Sequence, residues 1–544
     1  MAPRRYTSSG QNQPVIVDRQ HQPIQHQHQH QHQQQNCDVR TTDTVIVGNG
    51  PSALFLSYLL HGNVPTYDTS VHGPHPDPVL HSKLSQLGPD RSLYDALETP
   101  RSVEALTGHF PDSAYMSYSN QALPINVLLD TLIQPNADTE IGEARSRIKW
   151  ERNSSRRVDH LVLGDAGKAG GQWAEDPIGA NRDCETLSYA EMLSLPGYSF
   201  REHYKRTHRR PMPDLIRPTR REAASYYSAY PKAVGISSEV FTSVHAQRIS
   251  QRPGGGFTLR VHRRGSNSNN KQYHDVHMTI HCTHLVLATG IYSNVIPPPP
   301  IYQSLMSLTT PSPHAASNPP MLVVGSGFTA ADVMMAAKKA GRKVIHIYKW
   351  NTSRPSPLKG CHPTAYPEYA EIYRRMKSGV AATTSPRSNQ VTDGEYEGFP
   401  NAQVINTHPD GRIRILTIDG EIVERVIDEF KYCVGRRGSL EYLSPELRKA
   451  VGVVDAGWIS GDTMRWRVEE DLEIVKGVFV VGSLTGDSLV RFGFGGCAYA
   501  AGKISSDVKR GDEARGIKRK DEEGFENGAR TADNRRSKGA CVIV

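Results

Sequence analysis

Two stretches of this chain follow one plan, and a chain that carries the plan twice has few folds open to it. In the first, Thr44-Val45-Ile46-Val47 runs into Gly48-Asn49-Gly50-Pro51-Ser52-Ala53 and then into the apolar stretch LFLSYLL. In the second, MLVV from Met321 runs into Gly325-Ser326-Gly327-Phe328-Thr329-Ala330 and a helix-forming stretch. A β-rich run, a glycine turn and a helix in that order build a dinucleotide pyrophosphate site. The first glycine permits the tight turn and the second lets the backbone approach the phosphates. A small third residue, here Ala53, lets the helix pack close to the strand. The N–H groups that open the helix, beside Pro51 and Ser52, then face the phosphates. One such match is weak evidence; two, each with its own strand and helix, predict two dinucleotide sites.

The rest of the chain agrees with this plan. Apolar strand-like runs recur at 44–47, 160–163, 284–287, 321–324, 344–348 and 477–481, each followed by a glycine turn or a helix-forming stretch. That alternation predicts an α/β fold with parallel sheets covered by helices. The 544 residues suffice for two or three domains, at ~100–200 residues each. We expect a disordered Gln/His-rich tail over 1–42, and then a first domain over 43–300 with an insertion at about 69–158. A second domain follows over 301–435, the C-terminal part of the first over 436–506, and a flexible basic tail over 507–544. The alternating His26, His28, His30 and His32 sit in a tract too polar to offset its ordering entropy. They are read as a repeat, and no metal site is expected.

Bulk properties narrow the function classes. The net charge of +8 is spread along the chain, which suits solubility and phosphorylated cofactors and gives no nucleic-acid partner. No apolar run reaches the ~18 residues of a membrane span. The N-terminus shows no apolar signal region, so a cytoplasmic protein is expected. The 7 cysteines are odd in number and widely spaced, with no C-x-x-C or C-x4-C pair. This fits a reducing compartment and leaves no dithiol centre.

The strand after each turn carries the cofactor preference. In the second unit, VIHIY is followed by Lys349, with Arg354 nearby and no acid to take a ribose 2′-hydroxyl. Cations there favour a 2′-phosphate, and hence NADPH over NADH. In the first unit two acids compete. Asp68 stands about 20 residues after Gly48, the spacing of a ribose-binding acid. Asp165 follows HLVLG and precedes Gly170-Gly171-Gln172-Trp173. Asp165 is preferred, and the choice stays open at this point.

These motifs resemble the flavin-dependent monooxygenases, which order an FAD glycine turn, an acid-ending strand with Gly-Gly-x-Trp, an Ala-Thr-Gly link and an NADPH turn. The link here is Ala288-Thr289-Gly290. A closer resemblance is to the oxidative stress-induced growth inhibitor family, carried by VIVGNGPS and by the late block VFVVGSLTGDSLVRFGFGG. That block holds Gly482, Gly486, Asp487, Arg491 and Gly495-Gly496, and the resemblance spans residues 43–505. It implies two Rossmann-like domains of the flavin monooxygenase/disulfide-reductase type. FAD would be held by Gly48, Gly50, Pro51, Ser52, Ala53, Asp165, Gly171, Gln172, Trp173, Gly486, Asp487 and Arg491. NADPH would be held by Gly325, Gly327, Thr329, Lys349 and Arg354. The implied activity is an oxidoreductase that passes hydride from NADPH to FAD and then reacts with oxygen and a small-molecule substrate. The alternatives are a peroxide-producing oxidase and a flavoprotein that regulates growth without catalysis.

Three departures from the monooxygenase pattern separate cofactor binding from oxygen insertion. Residues 291–320 lack the F-x-G-x-x-x-H fingerprint, Leu187 falls where those enzymes place an asparagine, and the insertion at 69–158 parts the two acids. At the far end, Cys541-Val542-Ile543-Val544 has the C-a-a-X form, although valine is an unusual last residue. Arg535, Arg536 and Lys538 precede it. Two readings stand: a prenylated cysteine that, with the basic stretch, holds the protein on a cytoplasmic membrane face, or an unmodified apolar terminus.

Overall fold

The computed structural model describes residues 38–516, apart from 89–91, 114, 116–117, 119–120, 135–145, 176–181, 264–275, 309–318 and 385–394. The histidine tract and Cys541 lie outside the described residues.

Strand β1 (Asp38–Val47) ends in Val45, Ile46 and Val47, all buried, as a parallel strand covered on both faces requires. Helix α1 (Pro51–Leu60) starts with proline, whose missing N–H has no intrahelical partner to lose. An insertion follows. Its β2 (Asn63–Tyr67) and β3 (Ile148–Arg152) pair antiparallel in a sheet of their own. Between them lie α2 (Pro78–Ser85), α3 (Leu93–Ala96), α4 (Pro100–Thr107) and α5 (Pro124–Ile133). Strand β4 (His160–Leu163) then returns to run parallel to β1, with Leu163 opposite Val47. Helices α6 (Ala190–Leu193), α7 (Phe200–His208) and α8 (Arg220–Ala233) lead to β5 (Val240–Phe241). An antiparallel excursion, β6 (Val244–Gln251) and β7 (Phe257–Arg263), feeds β8 (Val276–Leu287), which lies parallel to β1 on its other side.

After the short β9 (Asn294–Val295) the plan repeats. Strand β10 (Met321–Val324), α9 (Phe328–Lys339), β11 (Val344–Tyr348), α10 (Pro367–Thr384) and β12 (Tyr396–Pro400) come in turn. An antiparallel excursion of β13 (Gln403–Thr407), β14 (Arg412–Leu416) and β15 (Ile422–Val426) precedes β16 (Glu429–Tyr432). Strand β17 (Arg436–Arg437) pairs with β9. Helices α11 (Pro445–Ala450) and α12 (Arg465–Glu470), then β18 (Glu473–Val475) and β19 (Val478–Val480), lead into the long α13 (Phe494–Arg515).

The larger sheet has the order β18-β19-β8-β1-β4-β5, extended by β7 and β6, and the second has β12-β11-β10-β16. In both, the strand before the glycine turn is central. One neighbour is a strand reached by way of the helix, and the other returns from the antiparallel excursion. The α/β class with two Rossmann-like units is thus the observed one. Neighbouring connections leave β1 and β10 in opposite directions, so a crevice opens at the carboxyl ends of both strands.

Two ends differ from the sequence reading. Strand β1 begins at Asp38, inside the segment read as a tail, because its first residues pair with β8 from Met278 onward. Helix α13 runs to Arg515, past the expected boundary at 506. Val508 is buried there, and Asp507 binds Lys476 at 3.1 Å.

Candidate dinucleotide-binding sites

The first turn is glycine for two separate reasons. Gly48 sits at φ +114°, and a Cβ there would lie 2.3 Å from the carbonyl oxygen of Ala288. The turn therefore presses on Ala288-Thr289-Gly290, and the Ala288 N–H donates to Val47 O at 2.9 Å. Gly50 has extended backbone (φ −75°, ψ −179°), and a Cβ there meets nothing within 4 Å. Its missing side chain relieves no backbone strain and leaves open space before the helix. Gly50 caps α1 without a side-chain hydrogen bond, and residues 48–52 at this helix start line a cavity of about 450 Å³. Ala53 is buried where the helix packs.

The Gly-Gly-x-Trp loop closes over this turn. The Gly170 N–H donates to Asn49 O at 2.8 Å, and a Cβ on Gly171 would lie 3.1 Å from the Cα of Gly50. Buried Asn49 holds the same loop through Lys168 O at 3.2 Å. Gln172 and Trp173 line the cavity; Gln172 accepts from Arg436 at 3.3 Å and Trp173 leans on Tyr227.

Of the two candidate acids, Asp165 lines the cavity. Asp68 does not: it directly follows β2, where its carboxylate accepts from the Ser70 N–H at 2.8 Å. The reason is topological, since β4, and not β2, lies beside β1. Asp68 is held below the usual carboxylate range by those Ser70 hydrogen bonds. On the facing wall, Gln247 stands at a break in register between Ala246 and Arg248. Such bulges re-aim side chains beside binding sites.

The late block forms the far wall. Gly482 (φ +69°) brings its Cα against α1, where a Cβ would meet Ser52 Oγ at 2.7 Å. Asp487 lines the cavity and is nearly fully buried. Its Oδ2 accepts from the Leu123 N–H at 2.9 Å and Asn126 Nδ2 at 2.7 Å, and its Oδ1 pairs with Arg465 at 2.7 Å. Gly486 lines an adjoining cavity of about 500 Å³ that shares residues 487–489 with the first. Arg491 corrects the sequence reading. It forms a buried ion pair with Asp130 of α5 at 2.6 Å, lies over the Phe492 ring and lines neither cavity. Cys497 is buried, its thiol pKa pushed up by burial, and donates to Ser52 O. It packs as a small core residue, and no cysteine lines either cavity among the described residues.

The second turn repeats the first. Gly325 (φ +144°) would place a Cβ 2.2 Å from Cys433 O, the counterpart of the Gly48–Ala288 approach. Gly327 caps α9 with no side-chain hydrogen bond and open space beyond it, and Thr329 lies in the first turn of that helix. Lys349 and Arg354 are exposed just after β11. Their loop is set by Asn351, whose Oδ1 accepts from the Ser353 and Arg354 N–H groups at 2.8 and 3.2 Å. Ser356 ties the same loop to Ser326 O at 2.6 Å. Beneath the turn, buried His346 bonds Gly325 O at 2.6 Å and the Tyr396 hydroxyl at 2.9 Å, and burial lowers its pKa to about 4. Sequence reasoning missed Ser356 and His346, which lack any motif of their own. Leu187 is also displaced from its expected place. It packs on the core of the second sheet, accepts from the Tyr366 hydroxyl through its carbonyl at 2.9 Å, and does not line the first cavity.

Two uncapped helix starts, two open glycine cradles and an acid beside the first fit dinucleotides at both turns. The fold and these cradles define the class: an α/β protein with two Rossmann-like units, each with an open glycine cradle at its first helix. No family model matches the chain. It is 25% identical to the human oxidative stress-induced growth inhibitor 2 over 499 residues, covering 84% of this chain and 92% of that protein. It is 26% identical to the mouse oxidative stress-induced growth inhibitor 1 over 489 residues, covering 85% and 94%. Its curated homologues are oxidative stress-induced growth inhibitors, so the family resemblance read from the motifs holds along most of the chain. Among solved structures, it is similar to a bacillithiol disulfide reductase from Bacillus cereus (TM-score 0.47, 13% identity, 87% of this chain and 99% of that one). It is also similar to a flavin monooxygenase from Stenotrophomonas maltophilia (TM-score 0.44, 14% identity, 87% and 99%). Among the described residues, no helix is long and apolar enough to cross a membrane.

Proposed function

We propose that this chain is an FAD- and NADPH-dependent oxidoreductase of the monooxygenase-like type. The observation that carries the reading is the open cradle at Gly50, where an uncapped helix start meets a cavity with room for a pyrophosphate. Gly48, Gly50 and Ser52 would hold the FAD pyrophosphate, Asp165 its adenosine ribose, and Asp487 would face the ribityl chain. Gly325, Gly327 and Thr329 would hold the second pyrophosphate, with Lys349 and Arg354 at the 2′-phosphate. When bound, FAD supplies two-electron chemistry, taking hydride from NADPH and handing electrons to an acceptor. The chain's own part is to bind both cofactors, orient them toward one crevice and keep thiols away from the flavin. With no cysteine on either cavity wall among the described residues, oxygen is the acceptor we favour, together with a small-molecule substrate. The names of the relatives support a second reading, a flavoprotein that restrains growth under oxidative stress.

The visible spectrum of the purified full-length protein tests the proposal. Flavin bands should be present, should bleach with NADPH under argon and should return in air. A protein that takes up no FAD even when FAD is added overturns it, and a bleached flavin that is re-oxidised by an added disulfide but not by air overturns the choice of oxygen.

A further inference from the structure

The insertion between β2 and β3 carries α5, and the first turn of α5 sits directly on the late block. A Cβ on Gly495 would lie 2.1 Å from Ile125 O, so no side chain separates α5 from α13 there. Between them lies Asn126, which is 1% exposed. Both ends of its amide are used: Nδ2 donates to Asp487 Oδ2 at 2.7 Å, and Oδ1 accepts from the Gly496 N–H at 2.8 Å. Asp487 is a wall of the cavity, and Gly496 belongs to the first turn of α13. One side chain therefore joins the carboxylate that faces the ligand to the helix that follows it.

We propose that Asn126 is a positioning residue for the flavin end of the site, which makes the insertion a working part of that site. The inference rests on the FAD reading above. The position asks for a donor toward a carboxylate and an acceptor toward an N–H, at one chain length. Leucine matches the shape and offers neither. Aspartate accepts from Gly496 but, when ionised, sets a second carboxylate against Asp487. Only when protonated does it supply the missing O–H donor, and two facing carboxylates hold such a proton well above the usual range. Losing the Nδ2 donor leaves the Asp487 charge less neutralised beside the flavin. A negative charge disfavours the reduced flavin, so the midpoint potential should fall.

The test compares wild type, Asn126→Leu and Asn126→Asp as full-length protein, measuring FAD dissociation, midpoint potential and thermal stability between pH 6 and 8.5. Asn126→Leu should bind FAD at least about tenfold more weakly at every pH, because Asp487, released from Asn126, no longer holds its charged hydrogen bond to the ligand, and at a lower potential. Asn126→Asp should match it at high pH and recover toward wild type as pH falls. If Asn126→Leu does not fold, the pH-dependent recovery of Asn126→Asp carries the test alone. A Leu variant that loses only thermal stability, with FAD affinity and potential unchanged, overturns the inference. So does an Asp variant with no pH dependence beyond that of wild type. A wild-type protein that binds no FAD instead overturns the function reading itself.

Discussion

Gly48 and Gly50 stand two residues apart and respond to substitution in opposite ways. An alanine at Gly48 meets Ala288 O at 2.3 Å in a left-handed backbone conformation. Backbone strain of this kind costs about 1–3 kcal/mol before the clash is counted. Gly48→Ala should therefore lower the thermal unfolding midpoint of the cofactor-free protein, and Gly325→Ala, facing Cys433 O at 2.2 Å, should do the same. Gly50→Ala should leave that midpoint within a degree or so, since its Cβ enters open space and a residue before proline already prefers extended backbone. Equal losses at all three positions would show that the cradle at Gly50 is closed in solution. A second prediction at this scale concerns Lys349 and Arg354. A hydrogen bond to a charged group is worth ~1.5–3 kcal/mol, so neutralising either residue should reduce the preference for NADPH over NADH by about tenfold or more. Unchanged relative affinities in the double variant would place the 2′-phosphate elsewhere.

Three elements carry a buried histidine held neutral: His75 in the insertion, His160 on β4 and His346 on β11, each with its pKa lowered by burial to about 4. The unfolded chain protonates such a group near 6.5. Between those values the unfolded state binds more protons, so stability is fully present above pH 6.5 and is lost as pH falls toward 4. Each histidine should remove about 1.4 kcal/mol per pH unit across that window. Unfolding midpoints recorded from pH 7.5 to 4 should decline steeply below 6.5, and a flat profile would mean these side chains are solvated. The element scale is also where sequence reading succeeded and failed. All six apolar runs are strands, because a parallel strand buried on both faces writes itself as an unbroken apolar run. The β2–β3 pair and the excursion β13–β15 carry no such run and were not legible. Counting 20 residues from Gly48 led to Asp68, but a count cannot say which strand docks beside β1, and the insertion gave that place to β4. Arg491 lay in the most specific motif, yet its partner Asp130 stands 361 residues away, beyond any local pattern. The charge that a motif assigns to a ligand was taken up by the insertion.

At the scale of the molecule, the repeated plan makes the two sites separable. Each turn belongs to its own sheet, and the apolar cores on the two faces of the second sheet are distinct from the core under the first. Between the two units the described contacts include the Arg217–Glu368 ion pair, the Arg217 guanidinium over the Tyr366 ring, and Leu187, which accepts from the Tyr366 hydroxyl and packs its side chain on the core of the second sheet. None of these runs through Gly50 or Gly327, the turn glycines whose missing side chains open onto free space at the two helix starts. A tryptophan at either should fill one cradle and leave the backbone and the other cradle as they are. Gly327→Trp should purify with its flavin bands intact and bleach with dithionite, while NADPH at concentrations that reduce the wild type leaves it oxidised. Gly50→Trp should purify without flavin and still bind NADPH, measured by calorimetry, at the wild-type affinity. If Gly327→Trp also lost its flavin, with its far-ultraviolet circular dichroism unchanged, the sites would be coupled through the crevice and the two units would not act as independent binders.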